Sequence, residues 1–215
     1  GPEGRGLALR LAASGHEVVI GSRDPDRAAG VADGLAAALA GRQGATMPRG
    51  AVNLAAAEAG SIVVVAVPYE AQAATLRAVA PELPGKILID VCVALDRRAV
   101  ATVSPPAAGS AAAEAAQIVG PDTRVVAAFH NVAAARLARL DDDVGCDVLV
   151  CGDDAGAKAV VLGLAKDVGL TAYDAGPLAN AGVVEGLTAV LIGLNKGHGG
   201  RSAGIRITNL DPQDA

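Results

Sequence analysis

A glycine-rich stretch at the start of the chain constrains its fold more than any other feature. The run Gly1–Gly6 leads directly into an apolar helical pattern over Leu7–Ala12, Gly15 ends that helix, and Val18–Gly21 has the pattern of a β-strand. Glycines let a strand-to-helix turn bring backbone N–H groups against a pyrophosphate at the positive end of the helix. The pattern therefore predicts a dinucleotide site that includes Gly1, Pro2, Glu3 and Gly4.

The tip of the strand indicates which dinucleotide is bound. Ser22 and Arg23 stand where an acidic residue usually accepts a hydrogen bond from the free 2′-hydroxyl of a ribose. A hydroxyl and a guanidinium are instead suited to a 2′-phosphate, and Arg27 lies one turn into the next predicted helix. NADP is the expected cofactor, with its 2′-phosphate bound by Ser22, Arg23 and Arg27.

Apolar runs typical of strands alternate with helical patterns along the rest of the chain. This alternation predicts an α/β fold of the Rossmann type, with a doubly wound, mostly parallel sheet and a small C-terminal α/β extension. The expected strands are Val18–Gly21, Ile62–Pro68, Lys86–Val93, Arg124–His130, Asp147–Gly152 and Thr171–Asp174. The expected helices cover residues 4–14, 25–40, 70–80, 109–119, 132–139, 155–168 and 180–195.

Two units are expected within this fold. Residues 1–140 form the NADP-binding domain, and residues 141–215 form a smaller unit that is too short to be independent. The first strand of a doubly wound sheet lies at its centre, and the chain begins after the position of that strand. We therefore expect the natural protein to carry about nine further N-terminal residues that form an apolar strand, with Gly1 as the second fingerprint glycine.

Ligands of such sheets bind outside the carboxyl ends of the strands, so those ends are the candidate positions for chemistry. His130 ends an apolar strand on that side, and Asn131–Ala134 opens the following helix. The pattern shows no acid or base partner for His130, so a structural histidine is the alternative. The other strand ends on this side contribute Val67, Pro68, Tyr69 and Leu95.

Composition argues against several other classes of protein. The net charge is −5 and no basic run is present, which is unfavourable for nucleic-acid or membrane-surface binding. The three cysteines lack metal-site spacing, and Asp141–Asp143 is expected to form a solvated turn and not a metal site. No signal peptide and no apolar run approaching about 20 residues is apparent, so a soluble, cytoplasmic protein is expected.

Several motifs together resemble the NADPH-dependent reductases of the deazaflavin coenzyme F420. The resemblance covers nearly the whole chain, and its most specific segments are Val150–Asp154 and Asp174–Leu178. The remaining matching segments are 6–12, 15–23, 130–136, 185–188 and 203–208.

The resemblance implies direct hydride transfer between NADP(H) and coenzyme F420 in a homo-oligomer, expected to be a dimer. It places His130 and Thr188 on the deazaflavin side as the catalytic residues. It assigns the rest of NADP to Tyr69, Leu95 and Ala134, beside Val67, Pro68 and Asn131. Three positions depart from the family pattern, namely Gly182 for Arg, Gly186 for Ser and Ala94 for Pro.

Two other functions remain open on the sequence. A reductase of the hydroxyacid or imino-acid type has the same kind of nucleotide domain, but it needs a longer helical domain than this chain offers. An NADP-binding sensor whose second site has decayed is compatible with Gly182 and Gly186. Turnover with the deazaflavin separates the sensor from an enzyme.

Overall fold

The computed structural model describes residues 1–96, 98–99 and 101–210. Two single turns of 3₁₀-helix lie at Ala80–Glu82 and Leu178–Asn180. The helices are α1 (Pro2–Ala13), α2 (Pro25–Leu39), α3 (Asn53–Ala59), α4 (Tyr69–Val79), α5 (Ala111–Val119), α6 (Ala134–Leu137), α7 (Ala155–Asp167) and α8 (Ala181–Gly197). The strands are β1 (Val19–Ser22), β2 (Arg49–Val52), β3 (Ile62–Val65), β4 (Ile87–Asp90), β5 (Arg124–Ala127), β6 (Asp147–Gly152) and β7 (Thr171–Asp174).

The strands form two sheets. Five of them pair in the order β3-β4-β5-β6-β7, and every pairing in this sheet is parallel except β5 with β6. Strands β1 and β2 form a separate parallel pair. The predicted α/β fold with a mostly parallel sheet is confirmed.

The larger sheet has a buried apolar layer on each face. Every residue of β4 is buried, because Ile87 and Ile89 face one layer and Leu88 faces the other. The first layer includes residues of α1 and α7, and the second includes residues of α4, α5 and α8. This arrangement explains why the first three residues of β4 are all apolar and do not alternate in polarity.

The expected first strand would lie between β1 and β3. In the described residues β1 pairs only with β2 and β3 pairs only with β4, so each keeps one unpaired edge. The strand expected before Gly1 stays a prediction.

The sequence patterns missed β2 and α3. Strand β2 is short and exposed and contains Arg49 and Gly50, so it lacks an apolar signal. A Cβ on Gly50 would lie 2.5 Å from the backbone of Ala28, so the glycine is required where α2 crosses the strand. The strands at 62, 86 and 124 are also shorter than predicted, because their last residues leave the sheet and form loops at its edge.

The C-terminal unit continues the same sheet through β6 and β7, and α8 packs on α5. The last five residues of the predicted unit lie outside the described residues. In the described part of the chain, the segment Leu178–Gly197 is long and apolar enough to cross a membrane by length and composition. This finding corrects the expectation that no apolar segment approaches spanning length, although a single helix of this kind is weak evidence of a membrane protein.

Candidate cofactor site at the carboxyl ends of the strands

The start of α1 is built for close backbone contact. Gly1 precedes the helix, Pro2 occupies its first turn, and no side chain caps the free N–H groups there. A Cβ on Gly4 would lie 3.1 Å from the Cβ of Ala66, at the end of β3, and a Cβ on Gly6 would lie 2.6 Å from the Cβ of Leu137. The glycines therefore bring α1 against β3 and α6 and leave a positive helix end suited to a phosphate.

Three exposed arginines flank this helix start. In the residues that the structure describes, Arg5, Arg23 and Arg27 form no salt bridge with a carboxylate. Arg5 and Arg27 line a cleft of about 360 Å³ between α1 and α2, together with Gly30 and Gly34. Their charges are available to an anionic ligand.

The turn between β1 and α2 is held by side-chain hydrogen bonds to the backbone. The Asp24 carboxylate caps α2 by accepting the N–H groups of Asp26 and Arg27 at 3.0 and 3.3 Å. The Ser22 hydroxyl oxygen accepts the N–H of Asp24 at 3.2 Å, which leaves the hydroxyl proton free to donate. Asp24 therefore joins Ser22 to the first turn of α2, which carries Arg27. A shared phosphate site of Ser22, Arg23 and Arg27 stays a prediction.

The segment after β3 forms one wall of the edge. Val67 and exposed Pro68 lead into α4, and the Val67 carbonyl oxygen accepts from the Cys92 thiol at 3.3 Å. The Tyr69 hydroxyl donates to Glu114 at 2.6 Å. Burial is the larger cause and this hydrogen bond the smaller cause that together raise the pKa of Tyr69 to about 12. Leu95 forms an antiparallel bridge with Val103 in the loop between β4 and α5.

His130 lies just beyond the end of β5, after a strained residue. Phe129 has a φ of +66°, a conformation that costs about 1–3 kcal/mol for a side chain of this kind. His130 is buried, and neither ring nitrogen has a hydrogen-bond partner among the described residues. Burial lowers the pKa of His130 to about 4, so the imidazole is neutral near pH 7. Its ring nitrogens could serve a polar ligand group.

Thr188 and His130 are in direct contact, because the Thr188 hydroxyl donates to the His130 carbonyl oxygen at 2.8 Å. Asn131 is also buried, and its side chain donates to the Asp147 carbonyl oxygen at 2.6 Å. Ala134 begins α6 beside Gly6, whose added Cβ would lie 3.5 Å from the Ala134 carbonyl oxygen.

The two specific C-terminal motifs hold the start of α8. Asp154 caps α7 through the N–H of Ala157 at 2.6 Å, and Asp153 accepts the N–H of Leu178 at 2.9 Å. Asp174 accepts from Lys158 and from the N–H of Gly176, at 2.7 and 2.8 Å. Gly176 has a φ of +93°, which favours glycine. These contacts explain the motifs as a scaffold for the helix that carries Thr188.

The structure also shows the surroundings of the acidic run, the cysteines and His16. Asp141, Asp142 and Asp143 are exposed and pair with Arg42, Arg139 and Arg206, respectively. Cys92, Cys146 and Cys151 are buried free thiols. His16 pairs with Asp167 at 2.9 Å, away from the strand ends.

Sequence reasoning missed three residues at this edge. Phe129 gives no signal in the sequence, because its distinguishing feature is its positive φ angle. Arg5 could have been noticed as a basic residue within the fingerprint. Glu185 is a buried acid on α8, and its position on the apolar face of that helix could have indicated a special role.

Comparison with known proteins shows the family of the chain. The family model described as NADP oxidoreductase, coenzyme F420-dependent, matches residues 1–94. The F420-dependent NADP reductase of Methanothermobacter marburgensis is 42% identical over 216 aligned positions, and the match covers 98% of this chain and 95% of the relative. That of Methanothermobacter thermautotrophicus is 40% identical over 220 aligned positions, and the match covers 100% of this chain and 94% of the relative.

A solved structure from Arthrobacter sp. FB24, described provisionally as an F420-dependent NADP-reductase, has a TM-score of 0.80 and 29% sequence identity. The match covers 97% of this chain and 96% of that one. The similarity to the two curated relatives extends over nearly the full length of all three chains. The chain belongs to the family of F420-dependent NADP reductases.

Proposed function

We propose that the protein is an oxidoreductase that transfers a hydride between NADP(H) and coenzyme F420. The observation that carries this proposal is the imidazole of His130 beyond the end of β5, which is buried and has no partner among the described residues. Thr188 holds the backbone carbonyl of the same residue. The start of α1, near the exposed arginines, lies beside the end of β3. Strands β3 and β5 belong to the same sheet. The names of the two close relatives support the same reaction.

On the NADP side, the uncapped start of α1 fits a pyrophosphate and the three unpaired arginines fit further phosphate charge. We assign the pyrophosphate to Gly1, Pro2, Glu3 and Gly4, and the 2′-phosphate to Ser22, Arg23 and Arg27. The nicotinamide half is assigned to Val67, Pro68, Tyr69, Leu95, Asn131 and Ala134.

On the deazaflavin side, His130 and Thr188 would orient the polar edge of the ring. With both cofactors bound, a hydride would pass between the nicotinamide and the deazaflavin, and the deazaflavin would exchange the accompanying proton with solvent. The protein would therefore contribute alignment more than proton transfer. A neutral imidazole can donate from one nitrogen and accept at the other. Because Thr188 holds the His130 backbone, the point from which the imidazole extends is fixed.

We infer that residues 1–140 and 141–215 act as the NADP unit and the unit that completes the deazaflavin site. We further infer a cytoplasmic homodimer that binds no nucleic acid and no membrane. Support for the dimer comes from α8, whose exposed apolar residues recur at helical spacing: Val183, Val190 and Leu194. Light scattering of the wild type and of Val183→Asp tests this interface, and a monomeric wild type would contradict it.

The reaction is tested by mixing the purified protein with NADPH and oxidised coenzyme F420. The expected result is loss of the visible absorbance of the deazaflavin that depends on both NADPH and protein. Binding of NADPH without any turnover would instead identify the protein as a sensor.

A further inference from the structure

The carboxylate of Glu185 joins two helices that lie far apart in the sequence. Glu185 is buried on α8, and its two oxygens accept the N–H groups of Ala111 and Ala112 at 2.9 and 3.1 Å. These N–H groups belong to the first turn of α5 and have no partner within their own helix. Among the described residues no basic side chain forms a salt bridge with Glu185, so the helix end itself stabilises the buried negative charge.

The backbones of the two segments also touch directly. A Cβ on Gly182 would lie 2.7 Å from the carbonyl oxygen of Gly109, which is closer than a Cβ approaches an oxygen. Gly182 is one turn before Glu185 on the same helix. The start of α8 can therefore reach the start of α5 only because position 182 has no side chain.

The same helix is fixed a second time, one turn later. Thr188 follows Glu185 by three residues and donates to the His130 carbonyl oxygen at 2.8 Å. Helix α5 is itself connected to the opposite wall, because its Glu114 accepts the Tyr69 hydroxyl at 2.6 Å. Glu185 thus links α5, which contacts Tyr69, to α8, which contacts His130.

We propose that Glu185 is a positioning residue, which sets the separation of α8 from α5 and so holds Thr188 on the His130 carbonyl. The proposal rests on the proposed function, in which His130 and Thr188 orient the deazaflavin. Loss of the carboxylate would release α8 from α5 and widen the deazaflavin side, whereas the fingerprint and the arginines on α1 and α2 would be unaffected.

Ser110 provides a matched control. Its hydroxyl oxygen accepts the N–H of Ala113 at 2.9 Å, so it caps the same first turn of α5 through a hydrogen bond that does not involve α8. Ser110→Ala and Glu185→Ala both remove capping bonds from α5, but only Glu185→Ala releases α8. Gly182→Ala is a second test variant, because it keeps the carboxylate and pushes the helices apart.

Two measurements test the proposal. In steady-state kinetics, Glu185→Ala and Gly182→Ala should raise the KM for oxidised coenzyme F420 by roughly tenfold, the scale of losing one good charge-assisted hydrogen bond, with Glu185→Gln in between. The Kd for NADPH, measured by nicotinamide fluorescence, should stay within about twofold of the wild type, because the phosphate contacts assigned to α1 and α2 are not altered. Ser110→Ala should change neither constant.

Hydrogen exchange provides the second measurement and needs no turnover. The amides of residues 129–132 should exchange faster in Glu185→Ala than in the wild type and at the wild-type rate in Ser110→Ala. Equal changes in Ser110→Ala and Glu185→Ala, or an unchanged exchange rate in Glu185→Ala, would overturn the proposal. If Glu185→Ala does not fold, Glu185→Gln and Gly182→Ala are judged by the same criteria. A wild type that fails to reduce the deazaflavin refutes the proposed function, while the exchange experiment still decides the role of Glu185.

Discussion

The hydroxyl of Thr188 donates to the backbone carbonyl of His130 at 2.8 Å, across 58 positions of sequence. The bond joins the C-terminal helix to the residue that follows β5. It uses the hydrogen-bond donor of Thr188 within the protein, so the main contribution of Thr188 to the reaction would be to hold His130. The two catalytic candidates would therefore act as one unit.

This contact predicts the effect of Thr188→Val, which keeps the shape of the side chain and removes the hydroxyl. The kcat/KM for coenzyme F420 should fall by roughly 2- to 10-fold, the cost of one neutral hydrogen bond. Thr188→Ser retains the donor and should remain close to the wild type. Equal losses in both variants would show that the hydroxyl is not responsible.

The neutral, buried state of His130 predicts how stability depends on pH. Burial lowers its pKa to about 4 in the folded protein, below the ordinary value of 6.5. Above pH 6.5 the ring is neutral in both states, and as the pH falls from 6.5 towards 4 only the unfolded chain takes up the proton. The wild type should therefore lose up to about 3 kcal/mol of unfolding free energy relative to His130→Asn across that range.

Chemical denaturation of both proteins at several pH values measures this difference. Asp90 acts in the opposite direction, because burial raises its pKa to about 7 and its contribution is lost as the pH rises through that value. Both proteins contain Asp90, so its effect cancels in the comparison. Parallel stability curves would contradict a buried neutral His130.

The unpaired arginines predict the choice of cofactor. Arg23 and Arg27 would each donate charge-assisted hydrogen bonds to the 2′-phosphate, worth roughly 1.5–3 kcal/mol when well formed. The wild type should prefer NADPH to NADH by at least about tenfold in kcat/KM, and Arg23→Glu should abolish most of that preference. Arg42→Gln alters an exposed arginine that is paired with Asp141 and provides the control. An unchanged ratio in Arg23→Glu would refute the assignment.

Arg10 predicts a stability effect away from the site. Its guanidinium is buried and donates to the carbonyl oxygens of Arg136, Leu137, Arg139, Asp142 and Val168. Arg10→Met would remove this buried donor from all of these acceptors, of which the Arg136 and Arg139 oxygens also accept backbone N–H groups. The unfolding free energy should therefore fall by about 3 kcal/mol. Denaturant titration measures this change, and Arg5→Met serves as the exposed control.

The sequence predicted the parts of the structure that depend on local pattern. The helix after the glycine-rich start, the helices predicted at 109–119 and 155–168 and the apolar strands carry their own signals, and the structure contains these elements. The contact between Glu185 and α5 could not be predicted, because it joins residues 74 positions apart and depends on how α8 packs. The left-handed conformation of Phe129 is likewise set by tertiary structure.

The most direct test of the account follows one labelled hydrogen. NADPH carrying deuterium at C4 of the nicotinamide is incubated with the protein and oxidised coenzyme F420 in ordinary water, and the reduced deazaflavin is analysed by mass spectrometry. The account predicts that the product formed from the correctly labelled face of NADPH retains one deuterium, since the hydride passes directly between carbons. A product without deuterium from either labelled face, with hydrogen derived from water, would contradict it.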